Sequence, residues 1–199
     1  MVLPCIWSTL EPMKPQSLDD VLNTYREHGH LHYGEDVTEL EHALQCAAMA
    51  KANGEFPVVV VAALLHDYGH LCHQLGESAA ERGIDARHEE IGYTMLKDLF
   101  IEEIVDAGRL HVPAKRYLCR VEPEYGAALS AASQQSLQLQ GGPMDAVEAA
   151  AFEEERHFEI AVRVRRYDDM GKIVGMTTPD LDSYLSWLEA FLIGGPGLA

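Results

Sequence analysis

Positive charge is scarce in this sequence: 15 Lys and Arg stand against 32 Asp and Glu, a formal net charge of −17. Such a field repels a nucleic-acid backbone and an anionic membrane surface, so neither is expected as a partner. A small anionic substrate is not excluded, because a metal centre and a few local cations outweigh a diffuse global field. Cysteine is scarce as well. Cys5, Cys46, Cys72 and Cys119 are scattered, with no CxxC spacing. That counts against a zinc knuckle or a disulfide frame and reads as thiols in a reducing cytosol. No apolar run exceeds Phe56 to Leu65, short of the ~20 residues that span a bilayer. The opening MVLPCIWSTLEPMK has no basic n-region, so no secretory signal is expected and a cytoplasmic protein is. A Gly-rich phosphate loop, an internal repeat, a low-complexity tract and a convincing strand pair are all missing.

What remains is a chain of 199 residues with 47% hydrophobic and 24% charged content, enough to bury one substantial core. A single domain over 1–199 is expected, its core at about 18–193 and its ends flexible. Leu18 to Gly29 carries a short helical pattern. Thr38-x-x-Glu41 forms a capping box ahead of Leu40, Ala43, Leu44, Ala47 and Ala48 at helical spacing, and Gly54 stops that helix. Pro57 opens a second helix through ValValValValAlaAlaLeuLeuHisAspTyrGlyHisLeu. A loop spans 73–87, and His88 starts an amphipathic helix that a shorter one continues to Leu110. Short helical pieces fill 112–143. Further helices run from Asp145 to about Glu155, from His157 to about Met170, and from Asp180 to Ile193. The expected fold class is all-α, a single helical bundle.

The sharpest local signal is His66-Asp67-Tyr68-Gly69-His70. On a continuous helix His66 and His70 share a face, one turn apart, with Asp67 beside them. An ionised Asp in so apolar a segment costs several kcal/mol unless it is paired or metal-bound. A divalent ion resolves that cost, since it favours both carboxylate and neutral imidazole. A capped helix end with exposed polar residues explains the pair about equally well on its own. The pair has company, however. His42 lies in an apolar stripe on the preceding helix, His88 starts the helix after the loop, His111 follows the next, and Asp168 lies near the end of a late one.

With these residues in order, the chain resembles the HD superfamily, whose pattern H…HD…D is met by His42, His66-Asp67 and Asp168. His88 and His111 stand where its two-metal members hold a second ion. YGEDVTELEHALQCA, ALLHDYGHL, HEEIGYTML, HVPAKRYL, QGGPM and RRYDDMGK further resemble the PhnZ/TmpB type. These are mixed-valent di-iron oxygenases that cleave the carbon–phosphorus bond of 1-hydroxyphosphonates. The likeness covers about residues 30–175.

The resemblance implies one iron, Fe(II) or Fe(III), on His42, His66, Asp67 and Asp168, and a second on Asp67, His88 and His111, with Asp67 bridging. It implies Tyr33 as a phenolate ligand that the substrate displaces. Glu35 would hold Tyr33 and then the substrate's cationic nitrogen, and His70 and Lys115 would bind the phosphonate. Ser133, Ser136 and Gln140 are further candidate phosphonate contacts, each equally explicable as a plain polar residue. The Tyr33–Glu35 interval is shorter than in the members acting on the primary amine and nearer to those acting on the trimethylammonium substrate. A quaternary ammonium donates no hydrogen bond, so carboxylate charge and aromatic faces are expected around it. Tyr25, Tyr33 and Tyr68, with Glu35 or Asp36, are candidates. His28, His30, His32, His73 and His157 read as surface residues.

The activity so implied consumes O₂ and converts (R)-1-hydroxy-2-(trimethylammonio)ethylphosphonate to glycine betaine and phosphate, or the primary-amine analogue to glycine and phosphate. The alternative is a metal-dependent HD phosphohydrolase acting on a nucleotide or phosphate ester, in which the same ligands activate water. A non-catalytic ligand-sensing module is a third. The oligomeric state is left open.

Overall fold

The computed structural model describes residues 13–32, 35–73, 75–76 and 79–197. Ten α-helices are found among them: α1 Leu18–His28, α2 Glu39–Ala52, α3 Pro57–Leu65, α4 His88–Leu96, α5 Glu102–Val121, α6 Tyr125–Ala128, α7 Ala131–Leu139, α8 Ala146–Glu153, α9 Phe158–Met170 and α10 Leu185–Ala190. No strand occurs among the described residues, only an isolated bridge between Phe100 and Leu192. The expected all-α class is what is observed. None of the described helices is long and apolar enough to cross a membrane.

Local chemistry sets the helix starts. Ser17 with Asp20, Thr38 with Glu41, and Asp145 with Glu148 each close a capping box at α1, α2 and α8. Such a cap contributes about 1 kcal/mol. α3 has no side-chain cap; Pro57 supplies its first turn, and residues Val59 to Leu65 are all buried. This helix is apolar on every side because α2, α5 and α9 pack around it. Its β-branched valines therefore form a buried helix rather than a strand, as their Ala-Ala-Leu-Leu continuation suggests.

The helix expected from Asp180 to Ile193 is a 3₁₀ turn, Leu181–Tyr184, followed by α10, which ends at Ala190, and two further departures bear on the site. α3 ends at Leu65, and Tyr68–Cys72 is a 3₁₀ turn, so His66 and His70 do not share an α-helical face. Gly69 explains how that turn is seated. A Cβ there would lie 1.9 Å from the His88 carbonyl oxygen and 2.7 Å from the Gly92 nitrogen. Only glycine lets the turn press against the start of α4. The second departure is α5, which continues without a break across Pro113 to Val121. One missing N–H is tolerated because α4, α8 and α9 pack along the helix. His111 thus sits inside a helix, with Lys115 one turn further on.

Candidate metal centre and substrate cavity

Five elements converge on one point. α2 supplies His42, the link between α3 and the 3₁₀ turn Tyr68–Cys72 supplies His66 and Asp67, the first residue of α4 is His88, α5 supplies His111 and Lys115, and α9 supplies Arg165 and Asp168. Gly171, just past α9, lies so close to α2 that a Cβ would meet Cys46 Sγ at 2.4 Å. That approach lets the Gly171 carbonyl reach His42. Arg87, immediately before His88, adopts a left-handed backbone (φ 49°), a cost the surrounding packing sustains to aim α4 at the site.

The imidazoles are set by their outer nitrogens. His42 Nδ1 donates to the Gly171 carbonyl at 2.8 Å, His66 Nδ1 to that of Ala63 at 2.8 Å, and His111 Nδ1 to that of Gly108 at 2.5 Å. A carbonyl only accepts, so each of these rings carries a proton on Nδ1 and, when neutral, offers a lone pair on Nε2. Those lone pairs point inward. The Nε2 atoms of His42 and His66 are 3.3 Å apart, and those of His88 and His111 are 3.1 Å apart.

Asp67 lies between the two pairs. Its Oδ2 is 3.4 Å from His42 Nε2 and 3.3 Å from His66 Nε2. Its Oδ1 is 3.3 Å from both His88 Nε2 and His111 Nε2, yet has no hydrogen-bond partner among the described residues. Asp168 completes the first pair, with Oδ1 3.5 Å from His42 Nε2 and Oδ2 3.8 Å from His66 Nε2. Two donor groups that could each hold a metal ion result: His42, His66, Asp67 and Asp168, then Asp67, His88 and His111. Converging lone pairs and an unpartnered buried carboxylate oxygen are the environment a cation relieves. His42, Cys46 and His66 also lie close together. Burial pushes the Cys46 thiol pKa up, however, and its Sγ hydrogen-bonds the Tyr167 carbonyl at 3.3 Å, so it stays a poor ligand.

Burial and neighbouring charge compete in the centre: the carboxylates raise His42 and His88 against burial, whereas His111 follows burial. Burial pushes His111 down to about 3, keeping that imidazole neutral. Burial opposes the charge on Asp67, but the surrounding imidazoles in their protonated form, His66 foremost, hold its carboxyl well below the usual range. Asp168 is held down likewise against burial, chiefly by Arg165, whose Nη1 is 2.6 Å from Oδ2.

A cavity of about 580 Å³ opens beside the two groups. α7 forms one wall through Ser133 and Ser136, with Gln140 just past its end, and the loop before α4 forms another through Ala79, Ile84 and Asp85. Three cations face it: Lys115, Arg165 and Lys172. Lys115 Nζ donates to Ser136 Oγ at 2.8 Å; its pKa falls to about 7, first because it is buried and then because Arg165 is near. Lys172 Nζ lies 2.6 Å from Glu35 Oε1 and 3.1 Å from Ser133 Oγ. Ser130 also donates to Glu35 Oε1, at 2.7 Å.

Of the residues singled out in the sequence, His42, His66, Asp67, His88, His111 and Asp168 meet in this centre. Glu35, His70, Lys115, Ser133, Ser136 and Gln140 line the cavity. His70 stacks on His88, ring centroids 3.9 Å apart. Tyr33 lies outside the described residues. Tyr25 and Tyr68 do not reach the cavity: both are buried, with hydroxyls donating to the Leu64 carbonyl and to Thr24 Oγ1. Asp36 is exposed and off the cavity wall. His157 is no surface residue; it is buried and meets Asp106 Oδ2 at 3.1 Å, joining α5 to α9. His32 and His73 line the cavity rim. Arg165 and Lys172 escaped the sequence reading, although Arg165, Asp168 and Lys172 fall at helical spacing along one face.

The profile of the HD domain family matches residues 39–140. A [1-hydroxy-2-(trimethylamino)ethyl]phosphonate dioxygenase (glycine-betaine-forming) from Leisingera caerulea is 47% identical, with 74% of this chain and 75% of that protein aligned. A hydroxymethylphosphonate dioxygenase from Gimesia maris is 39% identical, with 94% of each chain aligned. An uncharacterised protein, L432, from Acanthamoeba polyphaga mimivirus is 31% identical over 94% of this chain and 87% of its own.

Proposed function

The chain belongs to the HD-domain family, within it to the PhnZ/TmpB type of oxygenase, and from that premise we propose that it cleaves the C–P bond of (R)-1-hydroxy-2-(trimethylammonio)ethylphosphonate with O₂, giving glycine betaine and phosphate. The primary-amine analogue, giving glycine and phosphate, is the related substrate. The reading rests on one observation above all. Asp67 turns each carboxylate oxygen to a different pair of inward-facing imidazoles, beside a cavity walled by cations.

The cofactor is two iron ions in this reading. His42, His66, Asp67 and Asp168 would hold one, and Asp67, His88 and His111 the other, with Tyr33 as a further ligand before substrate enters. His/Asp donor sets of this kind suit iron. Iron there supplies the redox chemistry with O₂ that oxidises the substrate carbon.

The chain's own residues bind and orient. Lys115 is the point charge for the phosphonate, Ser136 fixes its Nζ, and Ser133, Gln140 and His70 offer further hydrogen bonds. Arg165 pins Asp168 so that its other oxygen stays turned to His42. Glu35 is the counter-charge for the substrate's cationic nitrogen. The three free cysteines among the described residues accord with a reducing cytosol, where we place the protein.

Phosphate release from iron-loaded protein, with and without O₂, tests the proposal. Release under air alone supports it. Equal release under argon, or with manganese or magnesium in place of iron, contradicts it and indicates hydrolysis. Tyr33→Phe is expected to alter the resting iron spectrum, and an unchanged spectrum removes Tyr33 from the ligand set.

A further inference from the structure

Glu35, assigned above to the substrate's cationic nitrogen, is already engaged. Its Oε1 takes Lys172 Nζ at 2.6 Å and Ser130 Oγ at 2.7 Å, so much of its charge is neutralised before a substrate enters. A second carboxyl in the same cavity is in the opposite state. Glu39, the first residue of α2, lines the cavity with Glu35 yet is only 8% exposed. Its side chain makes no hydrogen bond and no ion pair among the described residues.

The helix itself does not account for a carboxyl at this position. The capping box of α2 uses Glu41, whose exposed carboxylate takes the Thr38 N–H at 2.8 Å. A first-turn carboxylate is favoured by the helix dipole, but an exposed side chain gains that as well, and it does not offset burial without a partner. Glu39 also belongs to neither metal-donor group. Burial first, and then the charge of Asp67, press its carboxyl well above the ordinary range, with His42 and Lys172 pulling the other way. The Lys172 ammonium, however, is committed to Glu35 and to Ser133 Oγ, 3.1 Å away. A cation entering from the cavity would complete the site.

We propose that Glu39 is a specificity-determining residue for the substrate's tail, a second carboxylate that, in addition to Glu35, selects a cationic tail over a neutral one of the same shape. A quaternary ammonium donates no hydrogen bond, so charge has to hold it, and a carboxylate shielded from water delivers more of that attraction than an exposed one. The arriving cation in turn favours the ionised form of Glu39. A neutral tail of equal size gains nothing from Glu39 and leaves a buried polar group unsatisfied.

The inference rests on the substrate of the oxygenase reading, and its test separates the two. Affinity is measured by isothermal titration calorimetry on iron-loaded protein under argon, where turnover lacks its oxidant. The probes are (R)-1-hydroxy-2-(trimethylammonio)ethylphosphonate and its uncharged tert-butyl counterpart, 1-hydroxy-3,3-dimethylbutylphosphonate. The parent is expected to bind the cationic probe roughly tenfold or more tightly than the neutral one. Glu39→Gln should lose roughly tenfold on the cationic probe and keep the parent's affinity for the neutral one. Glu39→Asp, which retains the charge, should keep most of the preference. Iron content should match the parent's in every variant. No cationic preference in the parent, an unchanged preference in Glu39→Gln, or an equal loss on both probes overturns the inference. So does loss of iron from Glu39→Gln, which would assign the residue to the metal centre. Phosphate release by the parent under air reads the oxygenase separately. A parent that binds the cationic probe selectively but releases no phosphate overturns the oxygenase reading and leaves the role of Glu39 standing. A parent that binds neither probe overturns both.

Discussion

His88 and His111 hold their Nε2 atoms 3.1 Å apart. The Nδ1 proton of His111 is committed to the Gly108 carbonyl, so its Nε2 presents a lone pair to its neighbour. Asp67 Oδ1 closes the triangle at 3.3 Å from each. Two imidazole nitrogens and an anionic oxygen converge at this spacing in a dry interior, and a cation among them would bind all three. The same arrangement recurs on the other side of Asp67 with His42, His66 and Asp168.

Asp67 is therefore expected to matter to both ions. Asp67→Asn should strip metal from both donor groups. His111→Ala should strip only one and leave the ion among His42, His66 and Asp168. Metal content by inductively coupled plasma mass spectrometry checks this. Equal retention in the two variants would contradict the bridging assignment.

Lys115 sets a pH dependence. Its pKa is about 7, against an ordinary 10.5, because burial disfavours its charge. Between those values the unfolded chain binds a proton that the folded chain does not, so this group's contribution to stability rises with pH. Lys115→Met should accordingly melt higher than the parent at about pH 6, with the gap shrinking toward about pH 10. For phosphonate binding the charged form is the useful one. kcat/KM should fall as pH rises above about 7 in the parent. Lys115→Arg, always charged, should lack that limb relative to the parent in the same buffers. A shared limb would assign it to another group.

Gly69→Ala places a methyl 1.9 Å from the His88 carbonyl oxygen. Neither the turn nor α4 can yield without moving Asp67 away from His88. The expected cost is about 3 kcal/mol or more, with loss of metal from the His88 pair. Thermal melting together with metal analysis reads both effects.

His157 and Asp106 give the matching control. His157→Ala leaves the Asp106 carboxylate without its buried partner and should cost about 1–3 kcal/mol, while metal content stays at the parent's value. A drop in metal would mean that the α5–α9 junction also sets the centre.

Much of this was legible in the sequence because it is written in local pattern. The Thr38–Glu41 box fixes where α2 starts and hence where His42 points. The all-apolar run after Pro57 can only be central. The spaced histidines follow from the same reading. What escaped depends on packing between distant segments. Nothing local says that α3 stops at Leu65; that is set by Gly69 pressing on His88. Pro113 reads as a break, and only the helices around α5 carry it through. His157 reads as exposed until Asp106 is seen 51 positions away in sequence. Lys172 looks like a solvated charge after a helix, and becomes a cavity residue only once residue 35 is folded against it.

The most direct measurement takes iron-reconstituted protein and follows dissolved O₂ and released phosphate in one vessel, with the trimethylammonium hydroxyphosphonate as substrate. The account predicts near-equal O₂ uptake and phosphate release, without added reductant. Phosphate release with no O₂ uptake, or no turnover by protein carrying both irons, would contradict it.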